Sequence, residues 1–390
     1  MTRSQMTSNS FDGTRARHRS GMKWRTYAPD VIPAWVADMD FDIAPAIREA
    51  LTDAVTRSDL GYPLPYARSG LDEVFCTRML TRFNWRIEPR QVEFFSDVVQ
   101  TIYLSLLNLT QPGDGVVIQT PIYPPFLTSV AETGRRAILS PLVQSAVGYT
   151  IDFDAFAASL DTGAKMLLLC HPHNPTGRAF NRDELMSLAT LALKHDLIVI
   201  ADEIHADLML DARPHIPFAS LGPEIAARTI TLTSPSKPFN IAGLCLACAV
   251  FGSDALKRRF GTTPAHVRGG RSALGIQAAH AAWTMGQPWL DETLAKLRAN
   301  RTRVADFVAA HSPAIRHAPP EATYLAWLDC RELSLGVEPF KFFLEHARVA
   351  LSEGPAFGEA GRGFTRLNFA TSPEILNEVL TRMDAALKAR

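Results

Sequence analysis

Lys237 stands in the segment Ser234-Pro235-Ser236-Lys237-Pro238-Phe239-Asn240, with small hydroxyl side chains one and three residues before it. A lysine amine condenses with aldehydes, and neighbouring hydroxyls can grip a phosphate, so this spacing suits a phosphorylated aldehyde cofactor. Pyridoxal 5'-phosphate (PLP) answers that description, and its ring nitrogen needs an acidic partner to stay protonated. Asp202 is the candidate: it directly follows an apolar run, where an unpaired carboxylate would be costly and a ring cation would be a suitable partner. Taken alone, Ser-x-Ser-Lys more often marks a solvated turn, so its meaning depends on what else the fold brings to it.

Short apolar runs at 115–119, 165–170, 197–201, 229–233 and 246–251 alternate with helix-like stretches, the pattern of a mainly parallel sheet covered on both faces. Between two of them Asn181 and Glu184 form a capping box, and Leu185, Leu188, Leu191 and Ala192 recur on one helical face as far as Lys194. The expected fold is therefore α/β. A large cofactor domain spans 56–287, and a smaller α+β domain takes 288–390 together with 22–55, whose helix at 44–55 serves as a link. Residues 1–21, rich in Arg, Ser and Thr, read as a mobile tail.

In such sheets ligands sit beyond the C-terminal strand ends. Three consecutive exits present an amide (Asn174), a carboxylate (Asp202) and an amine (Lys237), in the order needed for the ring oxygen, ring nitrogen and aldehyde carbon of PLP. Asn174 sits in a turn fixed by Pro172, Pro175 and Gly177. Ser96-Asp97-Val98-Val99-Gln100 opens an apolar helix reaching about Leu109, whose first free N–H groups, at Val98 and Val99, could receive a phosphate. Tyr123, held among prolines, could stack on the ring, although on its own it reads equally well as a core aromatic. His171 and His173 read as hydrogen-bonded loop histidines, and His205 as a cofactor contact without a catalytic role.

Lys+Arg and Asp+Glu both number 40, so no net field recruits nucleic acid or an anionic membrane. No run approaches the roughly 18 apolar residues of a membrane span, and the first 21 residues lack a secretory apolar region, which makes the cytoplasm the default location. Five cysteines in mostly apolar surroundings suit free thiols in a reducing compartment. The Cys245-x-x-Cys248 pair lies in a run that reads as a strand, so core packing is favoured over metal or redox work.

Beyond these local readings, the chain resembles the fold-type I PLP-dependent enzymes of the class I/II aminotransferase superfamily, and within them the MalY/PatB branch of cystathionine β-lyase-like carbon–sulfur lyases. The resemblance rests on Lys23-Trp24, the 32–41 stretch containing Val36-Ala37-Asp38-Met39-Asp40-Phe41, Gly61-Tyr62, Tyr123-Pro124-Pro125-Phe126, Pro172–Gly177, Asp202–His205 and Arg366-Leu367-Asn368-Phe369-Ala370. It implies that Lys237 holds the cofactor aldehyde, Asp202 pairs the ring nitrogen, Asn174 contacts ring oxygen and substrate, Tyr123 stacks, and Arg366 binds the substrate carboxylate. It further implies a homodimer in which Tyr62 reaches the neighbouring subunit's cofactor phosphate, with Trp35 and Ala37 in a substrate entrance that extends to Asp38. The implied activity is β-elimination on a cysteine S-conjugate. Transamination, or decarboxylation with oxidative deamination of an S-conjugate, are the alternatives. Ser96-Asp97 replaces the Pro-Gly usual in relatives, His171 replaces a more usual asparagine, and Pro235 and Pro238 flank the lysine. A carboxylate at 97 would repel a phosphate unless it turned away to cap the helix.

Overall fold

The computed structural model describes residues 13–64, 66–145 and 148–390. Its centre is a seven-stranded sheet in the order Val92–Phe95, Ala247–Phe251, Thr229–Thr233, Ile198–Asp202, Ala164–Cys170, Gly115–Thr120, Arg136–Pro141. Ala247–Phe251 runs antiparallel to both neighbours, and the other six strands are parallel to one another. Strand periodicity sorts the apolar side chains onto two faces. Val117, Leu167, Leu169, Val199 and Ala201 join one core cluster, whereas Val116, Ile118, Met166, Leu168 and Ile200 join another on the opposite face. Burial on both faces is why these strands read as unbroken apolar runs.

The five expected strands lie within two residues of where the apolar runs place them. Two more were not visible in those runs. Arg136–Pro141 is an edge strand with only Ile138 and Ser140 buried, and Val92–Phe95 has four residues. Asn181 accepts from the N–H groups of Asp183 and Glu184, and the Glu184 side chain returns to Asn181 N, completing the capping box that starts helix Arg182–Lys194.

Toward the C-terminus, Leu325–Asp329, Phe364–Asn368 and Ser352–Glu353 form a three-stranded antiparallel sheet beside helices Gln287–Ala310 and Pro373–Lys388. Ile32–Pro33 pairs in parallel with Val349–Ala350, so an early segment is stitched to a late one, and helix Pro45–Thr56 lies against Ala273–Met285.

Two readings need correction. Residues 1–12 of the expected mobile tail lie outside the described residues, but 13–21 are docked. Ala16 is buried, Arg17 pairs with Glu378, and Arg19 donates to the carbonyls of Met39 and Phe41. Likewise, Cys248 is buried in its strand but Cys245 is exposed, at a left-handed position (φ 53°) ending a 3₁₀ turn before the strand begins.

Candidate active site

The C-terminal strand ends converge on a cavity of about 300 Å³ lined by Ala37, Val98, Val99, Tyr123, Asn174, Asp202, His205, Ser234, Ser236, Lys237 and Arg366. Asp202 is the last residue of Ile198–Asp202, and Lys237 follows Thr229–Thr233 by four residues. Asn174 and Tyr123 leave the two adjacent parallel strands and are joined by Tyr123 N donating to Asn174 O at 3.1 Å. Trp35 and Tyr62 do not line this cavity. Trp35 touches it only through its carbonyl, which accepts from Arg366, while the Tyr62 side chain is fully exposed on the surface beside a separate pocket.

Lys237 Nζ donates to Ala37 O at 2.9 Å. Burial pushes the Lys237 ammonium below its ordinary pKa, with Asp38 and Asp202 opposing and Arg366 reinforcing that shift. Asp202 is 6% exposed, and its Oδ1 accepts from Ile204 N at 3.0 Å. Among the described residues no cation stands within ion-pair distance of it, and desolvation raises its pKa to about 7. Desolvation and the cations Lys237 and Arg366 take His205 down to about 3, so its imidazole is neutral. Among the described residues its buried Nδ1 has no hydrogen-bond partner.

Arg366 is buried and held on three sides. Nη1 donates to Asn174 Oδ1 at 2.8 Å, Nη2 donates to Trp35 O at 3.1 Å and Ser352 Oγ at 3.0 Å, and its guanidinium carbon lies 4.8 Å from the Phe357 ring centroid. Burial lowers its pKa to about 10, which leaves it charged at neutral pH. With Asn174 Oδ1 committed to Arg366, the amide's N–H₂ remains to donate toward the cavity.

The serine pair is pre-arranged: Ser234 Oγ bonds Leu246 O at 2.6 Å, lies 2.8 Å from Ser236 Oγ and accepts from Ser236 N. Across the cavity, Asp97 caps helix Val98–Leu109 by accepting from Gln100 N at 2.7 Å, which leaves the N–H groups of Val98 and Val99 without an intrahelical partner. Gln100 returns the contact, its Oε1 accepting from Ser96 N while its Nε2 donates to Arg268 O.

The sequence reading missed Tyr324, Ser352 and Asn368 as parts of this site. Tyr324 is fully buried and donates to Ala37 O at 3.0 Å, the same carbonyl that Lys237 uses. Asn368 Nδ2 bonds the carbonyls of Val36 and Asp38, both at 2.7 Å. Asn368 was quoted with Arg366 but given no task, and nothing in the residue types flanking Tyr324 or Ser352 distinguishes them. His171 and His173 stay outside the cavity lining, as buried loop histidines. His173 Nδ1 pairs with Thr176 Oγ1, and His171 stacks on Phe180 beside the His215–Glu203 pair.

A family profile described as aminotransferase class I and II matches residues 31–383. The chain belongs to that family. Cystathionine beta-lyase PatB of Bacillus subtilis (strain 168) is 38% identical over 92% of this chain and 93% of its own length. A solved structure of OvoB is 40% identical, with a TM-score of 0.89 over 96% of this chain and 97% of the other. Cystalysin from Treponema denticola, whose structure contains a pyridoxal 5'-phosphate cofactor, is 32% identical with a TM-score of 0.93 over 98% and 99% of the two chains.

The residues of this class I/II aminotransferase family member fit that cofactor. A buried carboxylate without a cation would gain one from a protonated ring nitrogen. Two helix amides and two serine hydroxyls form a cradle for a phosphate, and a buried lysine of lowered pKa faces the same space.

Proposed function

We propose that this protein is a PLP-dependent carbon–sulfur β-lyase that converts a cysteine S-conjugate and water to a thiol, pyruvate and ammonia. The observation that carries it is one cavity holding a buried amine, an uncompensated carboxylate and a guanidinium fixed by an amide, in a chain 38% identical to a cystathionine β-lyase. PLP, when bound, supplies an electrophilic aldehyde carbon and a ring that takes up electrons from the substrate's Cα.

Lys237 would hold that carbon, and its free amine would be the base that removes the substrate's Cα proton. Burial favours its neutral form, the form a base requires. Asp202 would keep the ring nitrogen protonated, and in return its carboxylate would gain a cation. Arg366 and Asn174 receive the substrate carboxylate and so fix which Cα bond faces Lys237. Val98 N, Val99 N, Ser234 and Ser236 would hold the phosphate, and Tyr123 and the neutral His205, which line the same cavity, would contact the ring. The Cβ–S electrons leave with sulfur as a thiolate, and water addition and loss of ammonia give pyruvate.

The assay is release of thiol, pyruvate and ammonia in equal amounts from S-alkyl cysteines by PLP-loaded protein, with Lys237→Ala inactive. Turnover that requires an added keto acid and yields no thiol would overturn the lyase reading. The fully exposed Tyr62 fits a homodimer in which it reaches the partner's cofactor phosphate. The free thiols fit a cytoplasmic setting, and among the described residues no helix is long and apolar enough to cross a membrane.

A further inference from the structure

Among the described residues Lys237 Nζ has one hydrogen-bond partner, the carbonyl of Ala37, 2.9 Å away. That oxygen has a second donor, the Tyr324 hydroxyl, at 3.0 Å. Ala37 and Lys237 both line the cavity, whereas Tyr324 is 1% exposed, stands just before strand Leu325–Asp329 and reaches the site through this bond. Its ring meets His205 edge-on, with centroids 6.3 Å apart. The oxygen they share sits on a fixed backbone. Asn368 Nδ2 donates to the flanking carbonyls of Val36 and Asp38, each at 2.7 Å, and Asn240, from the lysine's own loop, accepts from Met39 N and donates to Met39 O, each at 3.0 Å.

A carbonyl oxygen has two lone pairs, and Ala37 O serves a phenol as well as an amine. A neutral amine carries two hydrogens and one lone pair. With one hydrogen on Ala37 O, the lone pair and the other hydrogen take the remaining tetrahedral positions, off the carbonyl, so the base is oriented by a third group. When the substrate's Cα–H bond breaks, its electrons stay with the substrate and the proton joins that lone pair. The phenol also bears on charge. An ammonium bonds a carbonyl more strongly than an amine does, so an oxygen serving Lys237 alone would favour the protonated form; sharing it with a hydroxyl, whose positive end then lies beside Nζ, weakens that preference. The other groups facing Lys237 are Asp38 beside Ala37, Asp202 at its strand exit, Arg366 from the C-terminal sheet and the neutral His205, with Asp97 and Tyr123 lining the same cavity. None of them is hydrogen-bonded to Nζ, so Ala37 O is the contact that sets its direction.

We infer that Tyr324 is a positioning residue for the base: through the carbonyl of Ala37 it orients the Lys237 amine and favours its proton-accepting form. This rests on the PLP-dependent reading with Lys237 as base. Tyr324 acts only through the shared oxygen, so removing its hydroxyl leaves the cavity wall and every charged group around Lys237 in place.

The test is Tyr324→Phe, which removes one oxygen and keeps the ring. The full-length chain is stripped of PLP, and the rate at which it recaptures PLP is followed by absorbance from pH 6 to 10. Capture requires the neutral amine, and the ionisations of PLP itself are common to both proteins. The midpoint of the variant's profile should lie about one unit above that of wild type, which makes capture about tenfold slower below both midpoints and lets the two rates converge at high pH. Asn368→Ser is the comparison: it loosens the same backbone but leaves both donors on Ala37 O, and should slow capture at every pH with the midpoint in place. In PLP-loaded protein at saturating L-alanine, which has no leaving group at Cβ, exchange of the Cα proton into D2O is followed by NMR; its pH profile should move in Tyr324→Phe in the same direction. A midpoint unmoved in Tyr324→Phe, or moved equally in Asn368→Ser, overturns the assignment while PLP capture leaves the cofactor reading intact. A wild-type chain that captures no PLP overturns both. Absence of thiol from S-alkyl cysteines overturns only the lyase reading, since capture and alanine exchange still decide the role of Tyr324.

Discussion

Replacing Asp202 by asparagine should stabilise the PLP-free protein at neutral and alkaline pH while weakening its hold on the cofactor. Folding raises the Asp202 carboxyl from 3.8 to about 7, chiefly by desolvation. Below pH 4 the group is protonated in both folded and unfolded chains and contributes nothing to their difference. Between 4 and 7 the unfolded chain releases the proton while the folded one retains it, so stability falls as pH rises, and above 7 the full penalty applies. At 1.36 kcal/mol per pKa unit the penalty reaches about 4 kcal/mol, of which roughly 2–3 kcal/mol accrues between pH 5 and pH 8. Asparagine has nearly the same shape and cannot ionise. Urea unfolding of PLP-stripped wild type and Asp202→Asn across pH 5–8 should therefore give two curves that diverge by that amount, with the variant more stable at the alkaline end. Adding PLP should reverse the order, because a ring cation relieves the wild-type penalty and has no charge to meet in the variant. Parallel pH profiles for the stripped proteins would refute the claim that Asp202 is a buried carboxylate waiting for a cation.

Arg366→Lys should raise KM for amino acid substrates by about 10- to 100-fold, with a smaller fall in kcat. An ammonium keeps the charge but loses the planar fork that now spans Asn174, Trp35 and Ser352, and each charge-assisted bond lost is worth about 1.5–3 kcal/mol. Steady-state kinetics with any accepted conjugate checks this. Gly354→Ala should lower the thermal midpoint clearly, since a Cβ there would meet Phe364 O at 2.1 Å and Gly361 O at 2.2 Å, an overpacking that costs about 1–3 kcal/mol or more. Gly61→Ala, with nothing within 4 Å of its added carbon, should leave the midpoint in place under the same calorimetric scan.

What could be read from the chain, and what could not, follows from how local each signal is. The central strands announce themselves because burial on both faces demands continuous apolar runs, and Lys237, Asp202 and Asn174 are legible because each lies within four residues of the end of such a run. Arg136–Pro141 escapes because an edge strand tolerates polar residues on its open side. Val92–Phe95 is too short to show a period. Arg366 is harder in principle: it is a mid-strand residue, and only the pairing that sets it across from Trp327 and Ser352 turns it toward Asn174, 192 positions earlier. Family resemblance, not chemistry, marked it. Tyr324 illustrates the limit. Its hydroxyl meets Ala37 O across 287 residues of chain, and no local pattern encodes a contact of that separation.

Lys237, Arg366 and Asp202 share one cavity, and burial works against the charged form of each. It lowers Lys237 and Arg366 and raises Asp202. A stability argument alone would replace them with apolar residues, since buried charges without full compensation are destabilising. On the proposed reading their compensation is divided among ligands: a ring cation for Asp202, a carboxylate for Arg366, and an aldehyde carbon for the Lys237 amine. The protein partners they have meanwhile are carbonyls and amides, Ala37 O for Lys237 and Trp35 O with Asn174 for Arg366. Such partners orient a side chain without neutralising it, so each group stays positioned and electrostatically unsatisfied until its ligand arrives.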